Sequence, residues 1–261
     1  MEGIIGIIGG VGPYAGLDFL RNICNNTRAV KDQDHINSLL VSCPSLIPDR
    51  TAFLLGDEKD NPAYGMVTCA KMLYDAGARY VSVACNTAHA GRIFTPFCTM
   101  VERFEGLTIV NMLETCVVYV KTRLQVHRIG LLATKGTYTS GVYHEYFREE
   151  EGFTLMEPAA AEQEAIHAAI YNETFGIKAH SAPVTVQAKI ILQEAITALA
   201  GRGAEAVILG CTELPLAVSP SKGGLPLLDP GLLTARRLIE LIAPEKLSPA
   251  VRCRTEPAFR S

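Results

Sequence analysis

Gly77-Ala78-Arg79-Tyr80-Val81-Ser82-Val83-Ala84-Cys85-Asn86-Thr87 and Gly203-Ala204-Glu205-Ala206-Val207-Ile208-Leu209-Gly210-Cys211-Thr212-Glu213 read as two versions of one segment. In each, Gly-Ala opens an apolar run, and a cysteine stands eight residues after the Gly, so the two thiols are 126 residues apart. A short apolar run bounded by Gly is the pattern of a strand buried on both faces, as in a parallel sheet. A thiol placed twice at the end of such a strand suggests two acid/base groups, one from each copy, facing one site. A reaction that takes a proton from one face of a carbon and returns one to the other face needs that arrangement.

The repeat extends outward from the cysteines. Ile5-Gly6-Ile7-Ile8-Gly9 matches Ile129-Gly130-Leu131-Leu132-Ala133, with 79 residues from Gly6 to Cys85 and 81 from Gly130 to Cys211. Apolar runs predict strands over 4–9, 37–43, 79–84, 107–110, 127–132, 205–209 and 225–228. Amphipathic stretches predict helices over 14–30, 61–76, 112–123, 159–171, 184–201 and 231–243. Strands alternating with helices imply an α/β fold of parallel sheets with helices on both faces. A period near 125 residues is too long for a solenoid and points to two similar Rossmann/flavodoxin-like domains. In such sheets ligands bind outside the carboxyl ends of the strands, where Cys85 and Cys211 fall.

The bulk composition removes several classes of function. The chain has 261 residues, 48% hydrophobic and 20% charged, with a net charge of −3, and no basic stretch that would favour nucleic acid or an anionic membrane. No apolar run approaches the roughly 20 residues of a membrane helix. The N-terminus lacks the basic flank of a signal peptide, so a cytoplasmic protein is the expectation. The eight cysteines contain no Cys-x-x-Cys pair, which argues against zinc ribbons and thioredoxin-type sites. Cys24, Cys69 and Cys116 fall in helical patterns and are expected in or near the core, and Cys253 in the polar tail. His35 with Asp32 and Asp34 is a faint metal pattern, and no metal is expected.

Gly10-Val11-Gly12-Pro13-Tyr14-Ala15 fits the dinucleotide pattern G-x-G-x-x-A after a strand. The next strand, however, ends in Ser42-Cys43-Pro44, without the acidic residue that would hold a ribose. The loop therefore reads as a tight turn at which the backbone, at Gly10 above all, approaches a small ligand.

Ala84-Cys85-Asn86-Thr87-Ala88-His89 and Gly210-Cys211-Thr212-Glu213-Leu214-Pro215 resemble the two signature motifs of the aspartate/glutamate racemase superfamily. Gly9-Gly10-Val11-Gly12-Pro13 and Ile47-Pro48-Asp49-Arg50-Thr51 are similar to its aspartate racemase branch, and Glu213 replaces the His usual in glutamate racemases. The resemblance covers nearly the whole chain. It implies two domains related by a pseudo-two-fold with the active site between them: 1–111 plus 227–261 carrying Cys85, and 112–226 carrying Cys211. It further implies no cofactor (pyridoxal phosphate in particular), a small-molecule amino-acid substrate, and a homodimer.

The expected catalytic pair is Cys85 and Cys211. A free thiol titrates near 8.5, so tuned surroundings let it serve as thiolate base or thiol acid. Either cysteine taken alone would read as a core residue; the repeat and the motif together change that. Asn86, Thr87 and Thr212 are expected to hold the substrate α-carboxylate, although Asn and Thr also cap helices well. Arg50, in the Pro-containing loop 44–51, could grip a side-chain carboxylate by two parallel hydrogen bonds, with Thr51 assisting. The resemblance adds Lys178 as a substrate contact; an exposed helix-end lysine is the other reading. Thr134, Gly136 and Thr137 follow the strand at 127–132 and are expected to line the cleft. His89, four residues after Cys85, could tune the thiol or support it structurally, and the second is favoured. Glu213 is not assigned as a base. The expected activity is cofactor-independent racemisation of aspartate, with glutamate second. The alternatives are a hydantoin racemase, maleate isomerase or arylmalonate decarboxylase type of relative, or a non-catalytic amino-acid-binding protein.

Overall fold

The computed structural model describes residues 3–147, 151–218 and 225–249. Among these, eight strands form two four-stranded parallel sheets. The first contains β1 (Ile4–Gly9), β2 (Ser38–Ser42), β3 (Ala78–Val83) and β4 (Thr108–Ile109) in the order β2-β1-β3-β4. The second contains β5 (Arg128–Ala133), β6 (Thr154–Met156), β7 (Ala206–Gly210) and β8 (Leu227–Leu228) in the order β6-β5-β7-β8. The two sheets thus share one strand order. The helices are α1 (Pro13–Asn26), α2 (Arg50–Leu55), α3 (Pro62–Asp75), α4 (Gly91–Val101), α5 (Met112–Arg123), α6 (Lys135–Ser140), α7 (Ala160–Tyr171), α8 (Val186–Gly201) and α9 (Pro230–Ile242).

Two glycines record the duplication in side-chain detail. A Cβ on Gly6 would meet Val81, Ala78 and Leu73 at 2.8, 3.1 and 3.2 Å. One on Gly130 would meet Val207, Leu199 and Ala204 at 3.0, 3.1 and 3.5 Å. Leu73/Leu199, Ala78/Ala204, Val81/Val207 and Cys85/Cys211 are each separated by 126 positions. The same three neighbours therefore close on the same glycine in both halves, and the helix–sheet distance they set carries each cysteine to an equivalent strand end.

β7 is buried throughout, and β1 and β5 are buried after their first residues, Ile4 and Arg128, which explains their continuous apolar runs. Alternate residues of the second sheet serve two cores. Ile129, Leu131, Ala133, Ala206 and Ile208 join the large core of the first half. Leu132, Val207 and Leu209 pack instead under α7 and α8. After β8 the chain returns, and α9 packs against α1 and α5. A boundary drawn at 227 cuts through the β7–β8 pairing; Leu227 and Leu228 belong to the second sheet.

Four short or interrupted elements, α2, α4, α6 and β6, differ from expectation. Arg50 does not sit in a loop: Asp49 caps a helix by accepting from Ala52 N at 2.8 Å, and Arg50 is the first residue of α2. Helix α4 forms despite Pro96, which removes one backbone donor, and β6 spans only three residues. Cys24 is exposed on α1, whereas Cys69 and Cys116 are fully buried; Cys253 lies outside the described residues. No described helix is long and apolar enough to cross a membrane.

Candidate active site

Cys85 follows β3 and is buried. Its carbonyl is held by His89 Nδ1 at 2.8 Å, and His89 Nε2 accepts from Met112 N at 3.2 Å. With Nε2 accepting, Nδ1 carries the hydrogen. Burial pushes the His89 pKa down to about 4 against two backbone hydrogen bonds that favour the charged form. His89 is therefore neutral, and both its nitrogens are occupied in joining the Cys85 turn to the start of α5.

Arg50 brings charge to this end of β3. Its Nη1 donates to Pro48 O at 3.1 Å and its Nη2 to Val11 O at 2.9 Å. Burial works against the guanidinium charge, but the Cys85 sulfur, Asp49 and Tyr171 outweigh it, and the net shift of the Arg50 pKa is upward. The remaining donor, Arg50 Nε, is buried without a partner, as is Asn86 Nδ2. Asn86 Oδ1 accepts from the Tyr143 hydroxyl at 2.6 Å, which fixes the way the amide faces. Two buried donors without acceptors beside one thiol form a place that a ligand oxygen would satisfy.

Cys211 follows β7 and is equally buried. Its Sγ donates to Glu213 Oε2 at 3.0 Å, and Glu213 Oε1 accepts from Lys178 Nζ at 2.7 Å. Burial and the Glu213 charge push the Cys211 thiol well above its usual range, against Lys178 and the Glu213 amide. For Glu213, burial alone would raise the pKa, but Lys178 and the thiol hydrogen bond hold it below the usual carboxylate value. Gly12 makes room for this group: a Cβ there would lie 2.0 Å from Glu213 Oε1, and its φ is +129°.

The two strand ends meet. Thr212 Oγ1, next to Cys211, donates to the carbonyl of Ala84, next to Cys85, at 3.0 Å. Around this bond lies a knot of hydroxyls from both halves. Thr87 Oγ1 is 3.1 Å from Thr134 Oγ1 and 2.9 Å from Thr137 Oγ1, and Thr51 Oγ1 is 3.4 Å from Thr134 Oγ1. Tyr171 donates to Asp49 Oδ2 at 3.0 Å and reaches Thr51 Oγ1 at 3.3 Å. A Cβ on Gly136 would meet Thr51 Cα at 2.9 Å, so only glycine lets α6 lie this close to α2.

Of the residues expected from sequence, Cys85, Arg50, Thr51, Asn86, Thr87 and Thr137 converge with Cys211, Thr212 and Lys178 on the junction of the two halves. Lys178 is not an exposed helix-end lysine: it is buried on most sides, against Glu213 and 5.1 Å from the Tyr171 ring centre. Gly10, with φ +73°, turns its α-carbon toward the Cys43–Pro44 backbone, where a Cβ would lie 2.8 Å from Cys43 N. Asp49, Tyr143 and Tyr171 complete the junction without having been singled out. Asp49 carried a signal, as a capping residue directly before Arg50-Thr51-Ala52. The tyrosines carried none, because their partners are 57 and 122 residues away. Among the described residues no group of three or more His, Cys, Asp and Glu is placed to hold a metal ion.

Two duplicated parallel sheets thus carry a thiol just beyond the matching strand end of each. The family described as Asp/Glu/Hydantoin racemase matches residues 8–238, and the chain belongs to that family. The aspartate racemase of Picrophilus torridus is 26% identical, superposes with a TM-score of 0.78 and shares 92% of this chain and 94% of its own. An aspartate racemase homologue from Pyrococcus horikoshii OT3 is also 26% identical, with a TM-score of 0.68 over 93% of this chain and all of that one. A glutamate racemase of Levilactobacillus brevis is 24% identical over 220 residues, 78% of this chain and 74% of that protein.

Proposed function

We propose that the protein interconverts L- and D-aspartate, with glutamate as second substrate, by two-base proton transfer at the α-carbon and without a cofactor. The observation that carries this reading is the Thr212 Oγ1 to Ala84 O bond, which ties the residue after one thiol to the residue before the other. A substrate at this junction has Cys85 on one side and Cys211 on the other.

The chemistry follows from the surroundings of each thiol. One sulfur removes the α-proton as the other delivers a proton to the opposite face. Charge then moves from the α-carbon onto the α-carboxylate oxygens. Donors placed where that charge grows stabilise the transition state more than the ground state. Asn86 Nδ2 and the hydroxyl of Thr87 are suited to this, while Thr212 spends its one hydroxyl hydrogen on Ala84 O and can offer only its backbone N–H. Arg50 Nε, buried and unpartnered, suits a side-chain carboxylate. Aspartate is placed first because two of the similar solved structures bear that name or are described as its homologue, and glutamate second because of the similar glutamate racemase.

The test is chiral chromatography of L- and D-aspartate and glutamate incubated with the purified protein and with Cys85→Ser and Cys211→Ser. Racemisation of aspartate is expected, with a loss of at least about a hundredfold in each variant, the scale of one general acid or base. Full activity in either variant would remove that cysteine from the mechanism. Activity without added pyridoxal phosphate, and in the presence of a chelator, is expected as well.

A further inference from the structure

Two thiols share one transferable proton in a two-base racemase, and the surroundings of the two sulfurs here are unlike. Glu213 Oε1 takes a hydrogen from Lys178 Nζ, which can only donate. Glu213 Oε2 lies 3.0 Å from Cys211 Sγ. A carboxylate engaged by an ammonium on one oxygen accepts on the other, so the hydrogen in the sulfur–oxygen contact belongs to the sulfur. The surroundings of Cys85 are of the other sign: the Arg50 guanidinium, held by the carbonyls of Pro48 and Val11, brings positive charge to its end of β3. No carboxylate hydrogen-bonds Cys85 in the described residues, and its neighbour His89 is neutral, with both nitrogens occupied.

We propose that Glu213 is a positioning residue that keeps the shared proton on Cys211 in the free enzyme, leaving the negative charge on Cys85 against Arg50. This rests on the two-cysteine reading above and deepens it. Three features hold Glu213 in place. Lys178 anchors one oxygen, the absence of a side chain at Gly12 admits that oxygen, and the cap sequence Cys211-Thr212-Glu213 folds the carboxylate back onto the thiol two residues earlier. The other titratable groups facing Cys211 are the phenols of Tyr138 and Tyr143, both raised by burial and therefore uncharged in the working range. Glu213 and Lys178 are left as the charges that govern Cys211.

The consequence is directional. The resting enzyme accepts the enantiomer whose α-hydrogen faces Cys85. The Cys85 thiolate takes that hydrogen and becomes a thiol. The Cys211 S–H bond breaks as the new C–H bond forms, which leaves a Cys211 thiolate beside the Glu213 carboxylate. That thiolate is a strong base, and it either serves the opposite enantiomer or recovers its proton as the free enzyme resets. No oxidant or co-reactant is needed.

Alkylation by iodoacetamide tests the assignment, because the thiolate is the reactive form. Cys85 and Cys211 are 6% and 5% exposed, so both residues are buried to the same degree, and the pH at which each rate rises reports charge. The protein without substrate would be labelled across pH 6 to about 9.5 and the two peptides quantified by mass spectrometry. At neutral pH Cys85 should label at least about tenfold faster than Cys211, since the thiolate is the reactive form. Glu213→Gln should shift the Cys211 rate-versus-pH curve to lower pH and speed its labelling by about tenfold or more, while Cys85 changes little. A merely structural role for Glu213 would leave the pH curve of Cys211 in place. Cys211 labelling as fast as Cys85 in the unmodified protein, or an unmoved Cys211 curve in a folded Glu213→Gln variant, overturns the proposal. If the variant does not fold, the two rates in the unmodified protein decide alone. Failure here with both Cys→Ser variants still inactive refutes the proton assignment and leaves the two-cysteine reading standing; activity in Cys211→Ser refutes that reading itself.

Discussion

At the scale of single residues, Arg50 bears the most specific expectation. Its two terminal nitrogens are occupied by the carbonyls of Pro48 and Val11, and only Nε is left, buried, beside Cys85. Arg50→Lys keeps one charge but replaces the rigid planar fork, whose separated nitrogens reach two carbonyls while Nε faces elsewhere, by a single compact ammonium. We expect both Arg50→Lys and Arg50→Ala to lower kcat/KM for aspartate by at least about a hundredfold, about 3 kcal/mol of transition-state stabilisation. Turnover of alanine, which has no side-chain carboxylate, should fall less. Parallel kinetics on the two amino acids checks this, and an equal loss for both would take Arg50 out of side-chain recognition. The sequence made Arg50 visible through its motif, but not its setting, since two nearby prolines suggested a loop and α2 is only six residues long. Glu213 was visible as a residue and opaque as a role. Its carboxylate acquires meaning from Lys178, 35 residues earlier, and from a missing side chain at Gly12.

At the scale of elements, the start of α9 and the α2–α6 contact each predict a measurement. Asp229 caps α9, accepting from Gly231 N at 2.8 Å and Leu232 N at 3.2 Å. Burial, with the Asp18 charge adding to it, pushes the Asp229 pKa up from 3.8 to about 7 against the pull of the two cap hydrogen bonds. A carboxyl raised on folding stabilises fully below its unfolded pKa, and that contribution is lost as pH climbs through the folded one. Thermal melts should therefore show a fall in Tm from pH 5 to 8. Asp229→Asn, which can still cap, should flatten that fall; an unchanged pH slope would contradict the account. At α6, Gly136→Ala would gain about 1 kcal/mol from helix propensity alone. The contact with Thr51 Cα at 2.9 Å should reverse the sign, giving a loss of about 1–3 kcal/mol and a lower kcat as the halves are pushed apart. Unaltered melting and kinetics would mean that the α2–α6 approach is not needed. The long, strongly periodic elements were legible in sequence to within a few residues, because periodicity reports burial directly. Helix α6 and strand β6 were not, being too short for any period to show, and Pro96 masked α4.

At the scale of the whole molecule, the account is one of duplication put to chemical use. Equivalent glycines, the leucines, alanines and valines around them, and one shared strand order deliver two thiols to equivalent points. The halves then join at those points through Thr212 and Ala84. The duplicated α/β unit and the equivalent places of its two thiols could be read from a repeat of 126 residues; the strand order and the Thr212–Ala84 joint could not. Nor could the asymmetry laid over the repeat: the duplicated turns differ where Asn86 and Thr212 follow the cysteines, and Glu213 has no acidic counterpart at Thr87. A pseudo-symmetric frame with unlike charges at its two ends lets one half hold a proton that the other half is ready to use.

The central claim is that one base works on each face of the α-carbon, and it is tested most directly by running the reaction in deuterated water from pure L-aspartate and stopping it early. Two thiols predict D-aspartate that carries deuterium at Cα, beside remaining L-aspartate that still carries protium. D-aspartate that keeps the original protium, or no D-aspartate at all, would contradict the account.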